Sequence, residues 1–461
     1  MTTLFKGGTV VTPEGTVRQD VLVEDGRIGA MAPDLAPGEY PGCCVLDCRG
    51  KLILPGLIDA HVHFTPATAD DFTWGSRGAA FGGVTTVIGY AGPRPGQDLL
   101  QGLDRKRKEA AGRSYVDYTF HVETLGWHHT DLDQLRQVRR AGISSLKVYT
   151  TYGKDRLPDE ELFALLRRAG EEQLLVTVHA EEDSVCARAA RALDRANNWS
   201  PATFPLSRPP EAEEAMVEKL VNMALGTGAP VYVVHVSTAR GVQAIARGRA
   251  QGGRIYGETC PQYLSLTDAN CGGTDGGLYL VSPPLRKEED QAALWQALHQ
   301  GTLQCLTTDH CAYRAEDKRQ VQAPFDQCLG LPGVQTALPL LYTLGVREQR
   351  LSLEKLVGLM AEQPARMFGL YPRKGALLPG SDGDIVVIDP ERQQVLRGET
   401  LQSRAGYTPY EGRTVWGVPL HVMRRGEWLI RQGAWANPRP DGLWLRAERW
   451  TEPGGQRHDL F

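Results

Sequence analysis

Along the middle of the chain, short apolar runs alternate with longer stretches that place apolar residues at helical spacing. The runs are Leu52–Phe64, Val84–Ala91, Asp117–Glu123, Ser145–Thr150, Leu174–Ala180, Val231–Ser237, Arg254–Leu264 and Gln304–His310. Each has the length and β-branched content of a buried strand. Between them, stretches such as Asp159–Arg168 and Glu211–Leu225 repeat apolar positions every three to four residues, and Pro158 and Pro210 stand where helix starts tolerate proline. Eight strand–helix units over about 320 residues predict a (β/α)8 TIM barrel spanning 55–371. A doubly wound sheet would carry a glycine-rich dinucleotide fingerprint after its first strand, and none is present.

The ends have a different texture. Thr9-Val10-Val11, Val21–Gly29 and Cys44–Asp47 are short β-like pieces, and Asp25-Gly26 between apolar runs signals a hairpin turn. The same texture returns in Asp384–Asp389 and Val415–Leu420. Residues 1–54 and 372–437 are therefore expected to build one small β-sandwich domain from both termini. Residues 438–461, rich in proline, arginine and tryptophan, read as an irregular arm.

Composition changes this picture little. Of 461 residues, 41% are hydrophobic and 23% charged, with a net charge of −4 from 51 basic and 55 acidic side chains. Those values are globular, and without a basic stripe nucleic acid and anionic membrane are excluded as partners. No apolar run is long enough for a signal peptide or a membrane span. Nine cysteines without paired CxxC units are expected to be free thiols in a reducing cytoplasm.

The chemistry is concentrated at strand ends. In a barrel these face one mouth. The first strand ends His61-Val62-His63, whose alternation aims both imidazoles at one point. Alone, that pair is weak. Lys147 on the fourth strand, His179 on the fifth, His235 on the sixth and Asp309 on the eighth join it at the same mouth, and together they predict a metal site. An ammonium within an apolar strand is costly unless paired or deprotonated. A neutral amine there can take up carbon dioxide as an anionic carbamate, whose two oxygens suit a bridge between two divalent cations. His128-His129 reads as an exposed loop and His121 as a hydrogen-bonded structural residue. No Gly-x-Ser-x-Gly elbow and no phosphate loop is present.

The set His61-Val62-His63, the Lys147 strand, His179-Ala180-Glu181-Glu182, His235-Val236-Ser237, Gly257–Leu264, Ser282–Arg286 and Thr308-Asp309-His310-Cys311 resembles the amidohydrolase superfamily. Within it, the likeness is to the hydantoinase/dihydropyrimidinase branch of cyclic amidohydrolases. The resemblance implies that His61, His63 and Asp309 hold a buried metal and His179 and His235 a more exposed one, with carbamylated Lys147 between them. Zinc is the default for such a histidine-rich pair, with manganese or cobalt as alternatives. It further implies a shared hydroxide as nucleophile, Asp309 as proton carrier and Tyr152 as the substrate-binding, oxyanion-stabilising hydroxyl. Main-chain groups at Ser282 and Leu329 would grip the ring; the branch usually has asparagine where Leu329 stands.

The implied activity is hydrolysis of a 5-substituted hydantoin or dihydropyrimidine to an N-carbamoyl amino acid, by a homodimer or homotetramer. Allantoinase and dihydroorotase are the enzyme alternatives. The dihydroorotase arginine two residues beyond the HxH pair is missing, since Phe64-Thr65 follows. Allantoinases generally lack the tyrosine five residues after the lysine. A non-catalytic relative would be expected to lose ligands, and all six are kept here. The loop Phe64–Phe72 is shorter than in typical hydantoinases, where it helps shape the pocket for the ring substituent.

Overall fold

The computed structural model describes residues 2–125, 127, 131–153, 156–321 and 328–452. The His128-His129 pair and the end of the expected arm lie outside the described residues.

Eight parallel strands run in strict chain order around one sheet. They are β1 (Leu57–Asp59), β2 (Val84–Ala91), β3 (Asp117–Glu123), β4 (Ser145–Tyr149), β5 (Leu175–His179), β6 (Val231–Val233), β7 (Ile255–Thr259) and β8 (Cys305–Leu306). The circle closes beyond β1 and β8, where Val62 bridges His310 in parallel and the His63 amide donates to the His310 carbonyl at 2.8 Å. Helices separate most of the strands, among them Asp159–Glu171 and Pro210–Thr227; Pro158 caps the first and Pro210 opens the second. This is a (β/α)8 barrel.

Several expected strands are shorter or divided, and Val231–Ser237 and Gln304–His310 keep only three and two residues, as β6 and β8. Leu52–Phe64 is two strands in different sheets: Leu52–Pro55 joins the terminal sheet and β1 joins the barrel. The break is at Gly56, where a Cβ would lie 2.2 Å from Thr85 Oγ1 and 2.7 Å from Asp384 Cβ. Arg254–Leu264 ends as a strand at Thr259, because Pro261 cannot donate to a ladder and instead starts a short helix, Pro261–Ser265.

The inward faces are layered. Ile58, Ile88, Leu175, Tyr232, Tyr256 and Cys305 form one apolar cluster, plugged by Phe368 and Leu370. One or two inward positions further along the strands the residues turn polar, at Tyr90, Lys147 and His179, so period-2 alternation sets a polar mouth on an apolar floor.

Both chain ends supply the remaining sheets. A four-stranded sheet comes from residues 3–47, and a seven-stranded sheet interleaves Thr9–Thr12, Gly15–Arg18 and Leu52–Pro55 with Ile385–Ile388, Pro419–Arg424, Glu427–Arg431 and Ala434–Trp435. They share one core that includes Phe5, Val10, Val23, Ile53, Ile385 and Met423, as in a sandwich. The Asp25-Gly26 turn joins two strands with both residues at positive φ, 50° and 78°. Leu443, Leu445 and Ala447 then hydrogen-bond along Tyr118 and Gly142 at the barrel's underside.

Candidate metal centre and substrate cavity

A cavity of about 730 Å³ opens over the carboxyl ends of the barrel strands. His61, His63, Lys147, His179, His235 and Asp309 line it, and so do Tyr152, Ser282 and Leu329. His61 Nε2 and His63 Nε2 each lie 3.1 Å from Asp309 Oδ1. One donor atom from each of these residues falls within 4.8 Å of the others, the spacing of a single ion's ligands. The His235 ring packs 5.4 Å from His61 and 4.5 Å from His179, which extends the imidazole set across the mouth.

The protonation states suit a metal. Burial holds His179 down at about 4 and His235 well below its usual value, so both are neutral imidazoles with a lone pair to give. Against the cost of burial, the His61 and His63 imidazoles keep Asp309 a carboxylate. Lys147 is 1% exposed, and its Nζ faces the rings of Tyr90 and Tyr149 at 5.2 and 5.1 Å. It has no ion pair among the described residues, and burial brings its ammonium down to about 8. A buried lysine with no ion pair among the described residues, its ammonium weakened by burial, fits a site for divalent cations beside four imidazoles and a carboxylate.

Above this set, the Tyr152 hydroxyl lies 3.0 Å from Ser282 Oγ and 3.5 Å from His179 Nε2. Its donor can therefore reach an oxygen bound over the centre. Tyr152, His235 and Asp309 all adopt positive φ, 74°, 40° and 51°, a conformation that costs a non-glycine residue about 1–3 kcal/mol and clusters at functional sites.

A match to the amidohydrolase family spans residues 52–429. The chain belongs to the amidohydrolase family. It is 37% identical to the D-phenylhydantoinase of Escherichia coli O1:K1, across 98% of this chain and 100% of that one. The crystal structure of the dihydropyrimidinase from Brevibacillus agri NCHU1002 superposes with a TM-score of 0.93 at 33% identity, covering 98% of this chain and all of the other. The L-hydantoinase (dihydropyrimidinase) from Arthrobacter aurescens gives 0.89 at 28% identity, with 96% and 99% covered.

This amidohydrolase also carries orienting groups: Glu258 and Glu181, which stand inside longer sequence motifs, and Arg208, which no motif contains. Glu258, on β7, meets His61 Nδ1 at 2.5 Å and is itself held by the Tyr232 hydroxyl at 2.9 Å. Glu181 takes His179 Nε2 at 2.6 Å and is gripped by Arg208, 2.6 Å away. These carboxylates fix ring orientation and leave His179 Nδ1 as the nitrogen with no partner among the described residues. The Arg208 guanidinium also stacks 5.0 Å over the Tyr152 ring, so one arginine braces both a histidine and the tyrosine. Glu258, a carboxylate inside the apolar run Arg254–Leu264, carries a sequence signal; Glu181 lies just beyond its run and Arg208 in none. His121 is structural, between Ser145 Oγ at 2.7 Å and the Ala60 carbonyl at 2.9 Å.

The loop Phe64–Phe72 stands clear of the main cavity; Phe64 and Thr65 instead border a separate one of about 230 Å³. Asp70 pins the loop away, accepting from His310 Nε2 at 3.1 Å, Ser403 Oγ at 2.6 Å and the Arg404 amide at 2.7 Å. The cavity's apolar wall comes from Ala187, Ala190, Trp199 and Phe204 instead.

Proposed function

We propose that this amidohydrolase opens a cyclic amide or imide, a 5-monosubstituted hydantoin or a dihydropyrimidine, to the N-carbamoyl amino acid. The observation that carries the reading is the Tyr152 hydroxyl, which shares one cavity with the six-residue donor set and lies 3.0 Å from Ser282 Oγ. Likeness to a D-phenylhydantoinase and to dihydropyrimidinases over nearly the full chain supports the same ring class. The missing arginine after His63 weighs against a dihydroorotate-type carboxylate.

His61, His63, His179, His235, Asp309 and a carbamate on Lys147 would hold two divalent ions, zinc by the donor chemistry. When bound, such a pair acidifies a water molecule and polarises the scissile carbonyl. The chain's own groups do the rest. Asp309 accepts the attacking water's proton and delivers it to the ring nitrogen as the C–N bond breaks. Tyr152 donates its hydroxyl hydrogen to the carbonyl oxygen as negative charge builds there. Main-chain groups at Ser282 and Leu329 hold the ring's amide edge. The Trp199 and Phe204 wall gives an apolar ring substituent a place away from water. The barrel, 55–371, performs this on a supporting domain of 1–54 and 372–437 with 438–461 as an arm. Nine unpaired cysteines suit work in a reducing cytoplasm.

Incubation of metal-replete protein with 5-phenylhydantoin in 18O-labelled water tests the reaction. The expected product is the N-carbamoyl acid with one labelled carboxylate oxygen, and an unchanged ring would contradict the proposal. Lys147→Ala is expected to abolish metal binding and turnover together, whereas retention of both would remove the carbamate bridge.

A further inference from the structure

Lys318 is 0% exposed, in the short helix Ala315–Arg319 outside the metal centre. Its ammonium donates to three main-chain carbonyls, those of Leu280 at 2.7 Å, Cys328 at 2.9 Å and Gly330 at 2.7 Å. No carboxylate pairs with it among the described residues; its titratable neighbours are the thiols of Cys311, Cys328 and Cys271. Burial without a counterion draws the Lys318 ammonium down to about 7, and methionine would fill a similar volume at no such cost. The gain must lie in what the three hydrogen bonds hold.

They hold the two segments that face the substrate cavity. Leu280 stands two residues before Ser282, and Cys328 and Gly330 flank Leu329; Ser282 and Leu329 both line the cavity. The Gly330 amide also donates to the Leu280 carbonyl at 3.1 Å, so the segments are laced directly as well as through the lysine. The Cys328 and Gly330 carbonyls accept from nothing else among the described residues. The Cys328 and Gly330 carbonyls, two residues apart, thus face Lys318 together, on either side of Leu329.

We propose that Lys318 is a positioning residue for the substrate, an internal amino group whose three hydrogen bonds fix the Leu280–Ser282 and Cys328–Gly330 segments so that main-chain groups at Ser282 and Leu329 meet the ring's amide edge. The inference rests on the cyclic-amide reading and adds to it the group that sets the grip. It also explains how leucine serves at position 329: the lysine orients the main chain, so the side chain there need not. Contacts made equally to the ground state and the transition state appear in KM rather than kcat.

The test is steady-state turnover of 5-phenylhydantoin and dihydrouracil by wild-type, Lys318→Met and Lys318→Gln holoenzymes, with metal content measured on each. Lys318→Met is expected to raise KM about tenfold or more while kcat stays within about threefold and bound metal is unchanged. Lys318→Gln keeps two N–H donors, should fall between the other two, and carries the test if the methionine variant does not fold. Unchanged KM in a folded variant, or kcat and metal content falling together, would overturn the proposal. Failure of the wild type to open either ring would sink the cyclic-amide reading instead. Amide hydrogen exchange then judges the lysine without substrate. Faster exchange in Lys318→Gln confined to 280–282 and 328–330 supports it, and exchange equal to wild type overturns it.

Discussion

Tyr152, His235 and Asp309 keep left-handed backbone only because their surroundings enforce it, and each presents a polar group to the same cavity. Tyr152 contributes a hydroxyl and little else to the centre, and the residue is 38% exposed. Tyr152→Phe should therefore fold normally and bind full metal while kcat falls about 10²–10³-fold, read from parallel turnover and metal assays. The orienting carboxylates act differently. Glu258→Gln weakens the hold on His61 and should lower metal affinity by about 10–100-fold in chelator competition. The two kinds of residue also differ in how plainly the sequence displays them. His61, His63, Lys147, His179, His235 and Asp309 stand at ends of apolar runs, where position alone assigns a direction. The role of Glu258 depends on His61 lying across the barrel, a neighbour 197 positions away that no local pattern encodes.

At the scale of elements, boundaries are set by close contacts rather than by hydrophobicity. Leu52–Phe64 reads as one apolar run, yet the chain leaves the terminal sheet and enters the barrel at Gly56 because two segments, at Thr85 and Asp384, press against its Cα. Gly56→Ala puts a methyl into that contact and should destabilise the protein by roughly 1–3 kcal/mol, seen as a lower Tm. Gly417, at φ 73°, likewise divides the Val415–Leu420 run, sending Thr414–Trp416 to a two-stranded ribbon and Pro419–Arg424 to the terminal sheet. Strand existence and order were legible in the apolar rhythm, since each run needs a buried place. Such breaks depend on which backbone comes near, which the rhythm does not carry. The loop after His63 is a similar case: its direction is set by Asp70 meeting His310 and Ser403, residues 240 and 333 positions away.

On the scale of the whole molecule, one buried ion cluster joins the parts. Lys374 donates to Asp117 at 2.5 Å and Asp384 at 2.9 Å, and pairs with Asp382 at 3.0 Å. Asp117 belongs to β3, Asp384 precedes a strand of the terminal sheet, and Asp117 also accepts from the Leu443 amide of the C-terminal segment. Removing the cation leaves buried Asp384 without an ion pair among the described residues and Asp117 and Asp382 with only Arg425 and Arg373, so Lys374→Met should cost about 3 kcal/mol in denaturant unfolding. Burial lowers the Lys374 pKa, but Asp384, Asp117 and Asp382 outweigh it and raise it above its ordinary value. Its stabilisation is therefore complete below the unfolded lysine's pKa of about 10.4 and declines as pH rises above it toward the folded value. The wild type should lose stability on that alkaline limb, and Lys374→Met should show a flatter one. None of this junction is visible in the sequence, where Lys374 and Asp117 are 257 positions apart.

Metal-dependent attack on a cyclic amide is tested most directly by ring opening of four substrates by metal-replete and metal-stripped protein side by side. The prediction is turnover of 5-phenylhydantoin and dihydrouracil well above allantoin and dihydroorotate, lost on stripping and restored by zinc. Preference for allantoin or dihydroorotate, or equal turnover without metal, would contradict it.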